Sequence, residues 1–256
     1  MEILIQSNMH HKGLRMLRAL VESAPVPYRV VDEPTGKASI LMTYGPGDKV
    51  RKEWLSEHRA RGVTTIMWDM GYFATKDFIG GMRFSVNDWH PQHLLDRAPA
   101  DCSRWDALKL PLRNDHNPKG PIILVGMGPK TRAIVDETDW ETRMLKKLHK
   151  RFPKHRVIHR PKPGRPHPTL PCPTDGRTPI EVLLRGASLV VCRHSNVACD
   201  AVLAGVPFEA IDGAAKWLDG KPYTPEVRHE FLCRLMWFNW RADEAAAAWK
   251  MVMQCV

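Results

Sequence analysis

No apolar run in this 256-residue chain approaches the roughly 20 residues needed to span a bilayer. The first residues, MEILIQSN, have neither the basic start nor the apolar core of a signal peptide. The six cysteines, at 102, 172, 192, 199, 233 and 255, include no CxxC pair. That spacing argues against a zinc framework and reads as reduced thiols in a cytoplasm rather than a disulfide frame. GxGxxG, HExxH and DxD are absent as well. The nearest thing to a P-loop is Gly126-Met127-Gly128-Pro129-Lys130-Thr131. It fails because the proline before the Lys-Thr pair has no N–H to offer a phosphate, and because the glycine spacing is wrong. With none of these patterns present, neither a resident cofactor nor an essential metal is expected.

Acidic residues are missing from one long stretch, Thr142 to Thr174. Ten cations stand there: Arg143, Lys146, Lys147, Lys150, Arg151, Lys154, Arg156, Arg160, Lys162 and Arg165. They account for the whole net charge of +10, because the rest of the chain carries 28 basic and 28 acidic residues. A concentrated patch suggests a polyanionic partner, with nucleic acid first among candidates. Its plainer reading is a solvated helix face followed by a loop. Within that loop, Arg160, Lys162 and Arg165 are the candidate nucleic-acid contacts. Seven prolines between Pro161 and Pro179 keep the loop out of any sheet.

What is present is the composition of a globular protein, 43% hydrophobic and 26% charged. The front half alternates strand and helix: Glu2–Gln6, a helix with Leu14, Leu17, Leu20 and Val21 on one face, then strands at 28–32, 39–43 and 63–68. Arg83 to Asn87 reads as an edge strand. Residues 112–120, LRNDHNPKG, form the linker. The back half restarts with the buried strand Pro121–Gly126. Thr138 and Glu141 form a capping box for a helix that turns Trp140, Met144, Leu145, Leu148 and Phe152 inward. Thr178, Pro179 and Glu181 start a second capped helix. Glu226 to Trp240 reads as an amphipathic helix, and Asp243 starts the last one. The fold class is therefore α/β, as two Rossmann-like domains. The expected boundaries are 1–116, 117–225 and C-terminal helices at 226–256 that could cross back to the first domain.

The chemistry concentrates in Thr178 to Phe208. Leu189–Cys192 is a strand, Arg193-His194-Ser195-Asn196 turns the chain, Ser195 or Asn196 caps a helix, and Gly205 ends it. A strand that feeds a loop into a helix start offers backbone N–H groups and the positive end of the helix dipole. Arg193 and His194 add side-chain donors. The turn is either an anion site or an ordinary polar loop of a β-α-β unit. Similarly, Gly128, Lys130 and Arg132 follow a buried strand and either meet a diphosphate or form a solvated loop. In the front half, Asp69 ends the 63–68 strand, as a base or as a turn cap. His11 sits in the first loop, as a base or as one of a surface pair. A neutral His and a carboxylate can each take a hydroxyl proton near neutral pH.

The run GASLVVCRHSNVACDAVLAGVPF resembles the donor-binding segment of GT-B glycosyltransferases, with Ser195, Asn196, Gly205 and Pro207 in the matching places. The acidic residue usual in the middle of that helix is Asp200 here, one helical turn early. The resemblance covers the second half well and the first half in outline. It implies two Rossmann-like domains facing a cleft, with a nucleotide-sugar donor held by Gly128, Lys130, Arg132, Arg193, His194, Ser195 and Asn196. It also implies Asp69 or His11 as the base toward a hydroxyl acceptor. Taken with the basic patch, it suggests hydroxymethylated DNA as acceptor, in the manner of viral DNA glucosyltransferases, in a host cytoplasm if a phage encodes the chain. Two other readings stand: transfer to a glycan or lipid-linked acceptor, and a non-enzymatic nucleic-acid-binding protein on a Rossmann scaffold. The sequence leaves the sugar, the stereochemistry and the oligomeric state open.

Overall fold

A computed structural model describes residues 2–6, 14–32, 38–45, 49–73 and 81–256. The chain divides into two compact units, 1–109 together with 233–256, and 110–232. The second unit is thus inserted within the first. Its limits lie at 109/110 and 232/233, where the sequence places boundaries at 116/117 and 225/226.

In the first unit, β1 (Ile3–Gln6), β2 (Tyr28–Val31), β3 (Ile40–Tyr44) and β4 (Thr64–Met70) pair in parallel in the order β2-β1-β3-β4. Helices α1 (Leu14–Glu22) and α2 (Lys49–Ala60) connect them. Parallel strands need such crossovers. The apolar runs of β1, β3 and β4 are buried almost throughout, as expected of strands covered on both faces. Leu4, Leu41, Leu55 and Met67 form one core cluster. Two antiparallel strands extend the sheet: β5 (Met82–Val86) on β4, and a two-residue strand, Asn239–Trp240, on β5.

That last pairing corrects two expectations. The 82–86 strand is flanked on both sides, and the sheet edge is formed by residues read from sequence as the end of a helix. The helix instead spans Pro225–Met236 and stops before Asn239. The C-terminal helix Ala245–Cys255 donates the Trp249 indole N–H to the Leu20 carbonyl at 2.8 Å, at the end of α1.

A third correction concerns the thiols: Cys102 and Cys233 form a disulfide within the first unit, 131 residues apart in sequence. Cys102 stands at the cap of the one-turn helix α3 (Ser103–Asp106). Beside it, Arg104 binds the Met236 and Asn239 carbonyls and the Glu244 carboxylate, and its guanidinium lies 3.7 Å from the Trp240 ring centroid. A charged, planar donor with five N–H groups can satisfy several acceptors at once.

The second unit repeats the parallel plan. Strands β6 (Ile122–Val125), β7 (Val157–Arg160), β8 (Leu189–His194) and β9 (Phe208–Asp212) lie in the order β7-β6-β8-β9. Helices α4 (Pro129–Val135) and α5 (Trp140–Arg151) lie between β6 and β7. The single turn α6 (Ile180–Leu183) precedes β8, and α7 (Val197–Ala204) joins β8 to β9. Trp140, Leu145 and Leu148 of α5 are buried against Ile122, Leu124, Val157 and Val191, while Met144 and Phe152 are partly buried there. A fully buried side chain of this size contributes roughly 1.5–3 kcal/mol.

Both expected capping boxes are absent. Thr178 gives its N–H to the Asp175 carboxylate at 2.9 Å, and Pro179 occupies the cap of α6. At α5 the cap position is Asp139, and Glu141 turns inward. No described helix is long and apolar enough to cross a membrane.

Candidate functional site

In the second unit the strand order reverses direction between β6 and β8. Chain leaving β6 returns on one side as β7, and chain leaving β7 returns on the other side as β8. Open parallel sheets bind ligands at the carboxyl ends of the strands flanking such a point. Here those ends carry Gly126-Met127-Gly128 after β6 and Ser195-Asn196 after β8.

A buried carboxylate shapes the loop after β6. Glu141 has no exposed surface and accepts the Met127 backbone N–H at 2.8 Å. The same carboxylate pairs with the Arg132 guanidinium, which is 12% exposed. The pair is closed: a buried charge is tolerated when it is paired and its remaining lone pairs are bonded. Arg132, expected to meet a diphosphate, is therefore neutralised from within.

Gly126 has a steric requirement. A Cβ there would lie 2.7 Å from His159 Nε2 and 3.3 Å from Glu141 Oε1. His159 itself is fully buried, and neither ring nitrogen has a hydrogen-bond partner among the described residues. Burial, opposed by the charge of Glu141, lowers its pKa to about 4, so the ring is neutral at ordinary pH. Gly128 is approached from outside by Lys162, whose Cδ would lie 3.1 Å from an added Cβ. Lys162 and Lys130 are exposed, and no described residue pairs with either. These two lysines are the cations this loop offers a ligand.

The end of β8 differs from expectation. Arg193 and His194 are the last two strand residues rather than turn residues. The parallel register sets His194 beside Asp212 of β9. The Asp212 carboxylate pairs with the Arg193 guanidinium and lies 2.6 Å from His194 Nδ1, while Arg193 Nε is 3.5 Å from Glu137. At the start of α7, the Val197 N–H bonds the Ser195 hydroxyl at 3.2 Å, the Ala198 N–H the Ser195 carbonyl, and the Cys199 N–H the Asn196 carbonyl. The expected open cradle of donors at 193–196 is instead a cluster whose charges and first-turn amides are engaged inside the protein. Asp200, in the first turn of α7, is pushed up to about 7 by burial and then by the charge of Glu181, with Arg113 opposing.

The three cations assigned to nucleic acid separate. Arg160 is buried, bonds the Asp175 carbonyl at 2.9 Å and lies 3.9 Å from its carboxylate, so it holds the proline-rich loop to β7. Lys162 and Arg165 are exposed on that loop.

In the first unit, Asp69 stands at the carboxyl end of β4 and is 31% exposed. One oxygen accepts from the Arg83 guanidinium at 3.1 Å and the other from the Met70 N–H at 2.7 Å. Arg83 is buried, bonds the Trp89 carbonyl at 2.6 Å and lies over the Tyr72 ring. A carboxylate has about four lone-pair sites, so Asp69 retains acceptor capacity toward solvent. Burial and then the charge of Asp69 push the nearby Tyr44 hydroxyl up to about 12, against Arg83. His11, the other expected base, lies outside the described residues.

Sequence reasoning passed over Glu141, His159 and Asp212 as site-forming residues. Asp212 was within reach: it ends the strand that follows α7, where a parallel register would set it beside His194. The signal at Glu141 was read as a cap because Thr-x-x-Glu describes both outcomes equally well.

No family model matches the chain, and no curated protein matches it in sequence. Solved structures do resemble it. A Thermosulfurimonas dismutans KpsC structure described as a beta Kdo 2,4 transferase aligns with TM-score 0.56 at 13% identity, covering 92% of this chain and 90% of that one. A second KpsC structure from the same organism, described as a beta Kdo 2,7 transferase, aligns with TM-score 0.54 at 13% identity, covering 100% and 99%. At such identity the likeness establishes fold alone, and the fold here is mixed α/β with parallel, Rossmann-like sheets.

Proposed function

We propose that this chain is a glycosyltransferase that moves a sugar from a nucleotide-activated donor to a hydroxyl of a glycan acceptor. The observation that carries the reading is the likeness to two Kdo transferases over nearly the whole length of both chains. The reading assigns the donor to the second unit, at the loop after β6, and the acceptor to the first. A cleft between the two, as GT-B enzymes have, is part of the proposal.

The chemistry asks for three things. An acceptor hydroxyl attacks the anomeric carbon, the bond from that carbon to the leaving phosphate oxygen breaks, and a base takes the hydroxyl proton. Asp69, a partly exposed carboxylate paired with Arg83 at the end of β4, is the proposed base, with His11 the other. Lys130 and Lys162 meet the charge that develops on the leaving phosphate, a role a fixed cation fills without a metal. Ser195 and Asn196, at the start of α7, are the proposed donor contacts on β8's side of the site. Hydroxymethylated DNA as acceptor has less in its favour, since the two Kdo transferases do not point to it and Arg160 is spent inside the protein.

The test is incubation of the protein with a panel of nucleotide-activated sugars, activated Kdo included, and oligosaccharide acceptors, with hydroxymethylated duplex DNA in parallel. Mass analysis reads the products. Transfer to an oligosaccharide, unaffected by chelator and lost in Asp69→Asn with the fold intact, is expected. Transfer to DNA alone would move the acceptor reading, and absence of both transfer and donor hydrolysis would overturn the proposal.

A further inference from the structure

The cations between Thr142 and Thr174 do not share one fate. Arg143 pairs with Glu137 and Asp139, Arg151 with Glu209, and Arg160 is buried on Asp175. Lys146, Lys147, Lys150, Lys154, Arg156, Lys162 and Arg165 are all exposed, and no described carboxylate meets any of them. Lys146, Lys147 and Lys150 are three and four residues apart on α5, so they stand side by side on its outer face. The inner face of the same helix carries Trp140, Leu145 and Leu148 into the core. The helix is therefore fixed in rotation, and its lysine stripe faces away from the sheet. Like charges this close repel unless a counter-charge sits on them, and nothing within the unit supplies one.

We propose that this face of the second unit lies against an anionic lipid surface. The composition of the stripe argues for a flat, diffuse partner. Lysine ammoniums are compact point charges on long flexible stems, without the planar fork that reads a particular phosphate or carboxylate. The large apolar side chains on α5 are turned into the core or partly buried, and the exposed ring beside the lysines is the small His149 imidazole, so the face offers no Trp, Tyr or Phe platform of the kind that stacks bases. It has no wedge for hydrocarbon either, which makes the attachment peripheral and purely electrostatic. The inference is independent of the transferase reading, and it is read out without any sugar donor.

The experiment is co-sedimentation of the purified chain with vesicles of phosphatidylcholine alone, and of phosphatidylcholine with about a third phosphatidylserine. Each basic residue near such a surface strengthens partitioning roughly fivefold. The triple variant Lys146→Gln/Lys147→Gln/Lys150→Gln should therefore bind the mixed vesicles about a hundredfold more weakly, with its thermal melt unchanged. Raising salt from 0.1 M to 1 M shortens the screening length from about 10 Å to about 3 Å and should release the wild type. Equal binding to both vesicle types, or undiminished binding by the triple variant, overturns the proposal. So does retention on duplex DNA or an anionic polysaccharide with no binding to mixed vesicles, since that outcome assigns the face to a polymer instead.

Discussion

Replacing Cys102 and Cys233 together with serine should cost this protein much of its stability. The bond closes a loop of 131 residues, and that loop contains the whole second unit. Chain-entropy arithmetic for a loop of that length gives about 17 cal/mol/K of denatured-state entropy removed, or about 5 kcal/mol at 25 °C. That figure applies when both units unfold together. If the second unit stays folded while the first opens, its ends remain held, the flexible loop is far shorter and the contribution falls toward about 3 kcal/mol. With a urea slope of about 2 kcal/mol per M, the midpoint of the first unit should drop by about 1.5–2.5 M. The nine tryptophans, in both units, make fluorescence a suitable probe. The assay compares wild type, wild type with dithiothreitol, and the double serine variant. The reductant should lower the wild type to the variant's level and leave the variant where it is. A non-reducing peptide map in which Cys102 and Cys233 are both alkylated as free thiols would refute the reasoning, as would a midpoint indifferent to reductant.

Three further outcomes follow from the second unit. His159 and Asp200 set opposite pH slopes: a His lowered from 6.5 to about 4 loses stability as pH falls through that window, whereas an Asp raised from 3.8 to about 7 loses it as pH rises from 4 to 7. Each slope is at most about 1.4 kcal/mol per pH unit, so His159→Gln should tilt the unfolding profile toward acid stability and Asp200→Asn toward neutral stability, as read by urea midpoints between pH 4 and 8. Glu141→Gln strands Arg132 without a carboxylate and should cost about 3 kcal/mol in denaturant unfolding, part of which a second change, Arg132→Met, restores. Gly205→Ala should cost more than about 2 kcal/mol, because the residue has φ of 72° and a methyl there would lie 2.5 Å from Arg228 Nη1 and 2.7 Å from the Arg113 carbonyl; a calorimetric melt reads it.

Local signals carried the parallel cores of both sheets. Ile3–Gln6, Ile122–Val125 and Leu189–Cys192 are short, largely apolar runs, and such runs say strand without help from the rest of the chain. Gly62 and Gly205 announced helix ends, and both adopt positive φ. Illegible features are those set by partners distant in sequence. Asn239–Trp240 continues a helical pattern, and it becomes a strand because Met82 and Arg83 lie beside it. The Cys102–Cys233 bond has no local spacing to betray it. At the site, the glycine loop after β6 could be found from sequence, but its electrostatics could not. Whether Arg132 and Arg193 are open to a ligand depends on Glu141 and Asp212, which reach them only through the fold. The lysines without acidic neighbours, Lys130 and Lys162, are the ones that stayed exposed.

The insertion of one unit inside the other dictates an order of events during synthesis. Residues 110–232 are contiguous and can fold as soon as they leave the ribosome. The front unit cannot: its sheet is missing its last strand and its last helix until residues 239–255 emerge. Until then, the outer edge of the Met82–Val86 strand stays bare, with its N–H and C=O groups open to any other strand. A chain truncated after residue 236 would therefore release a sound rear half joined to a front half prone to aggregate.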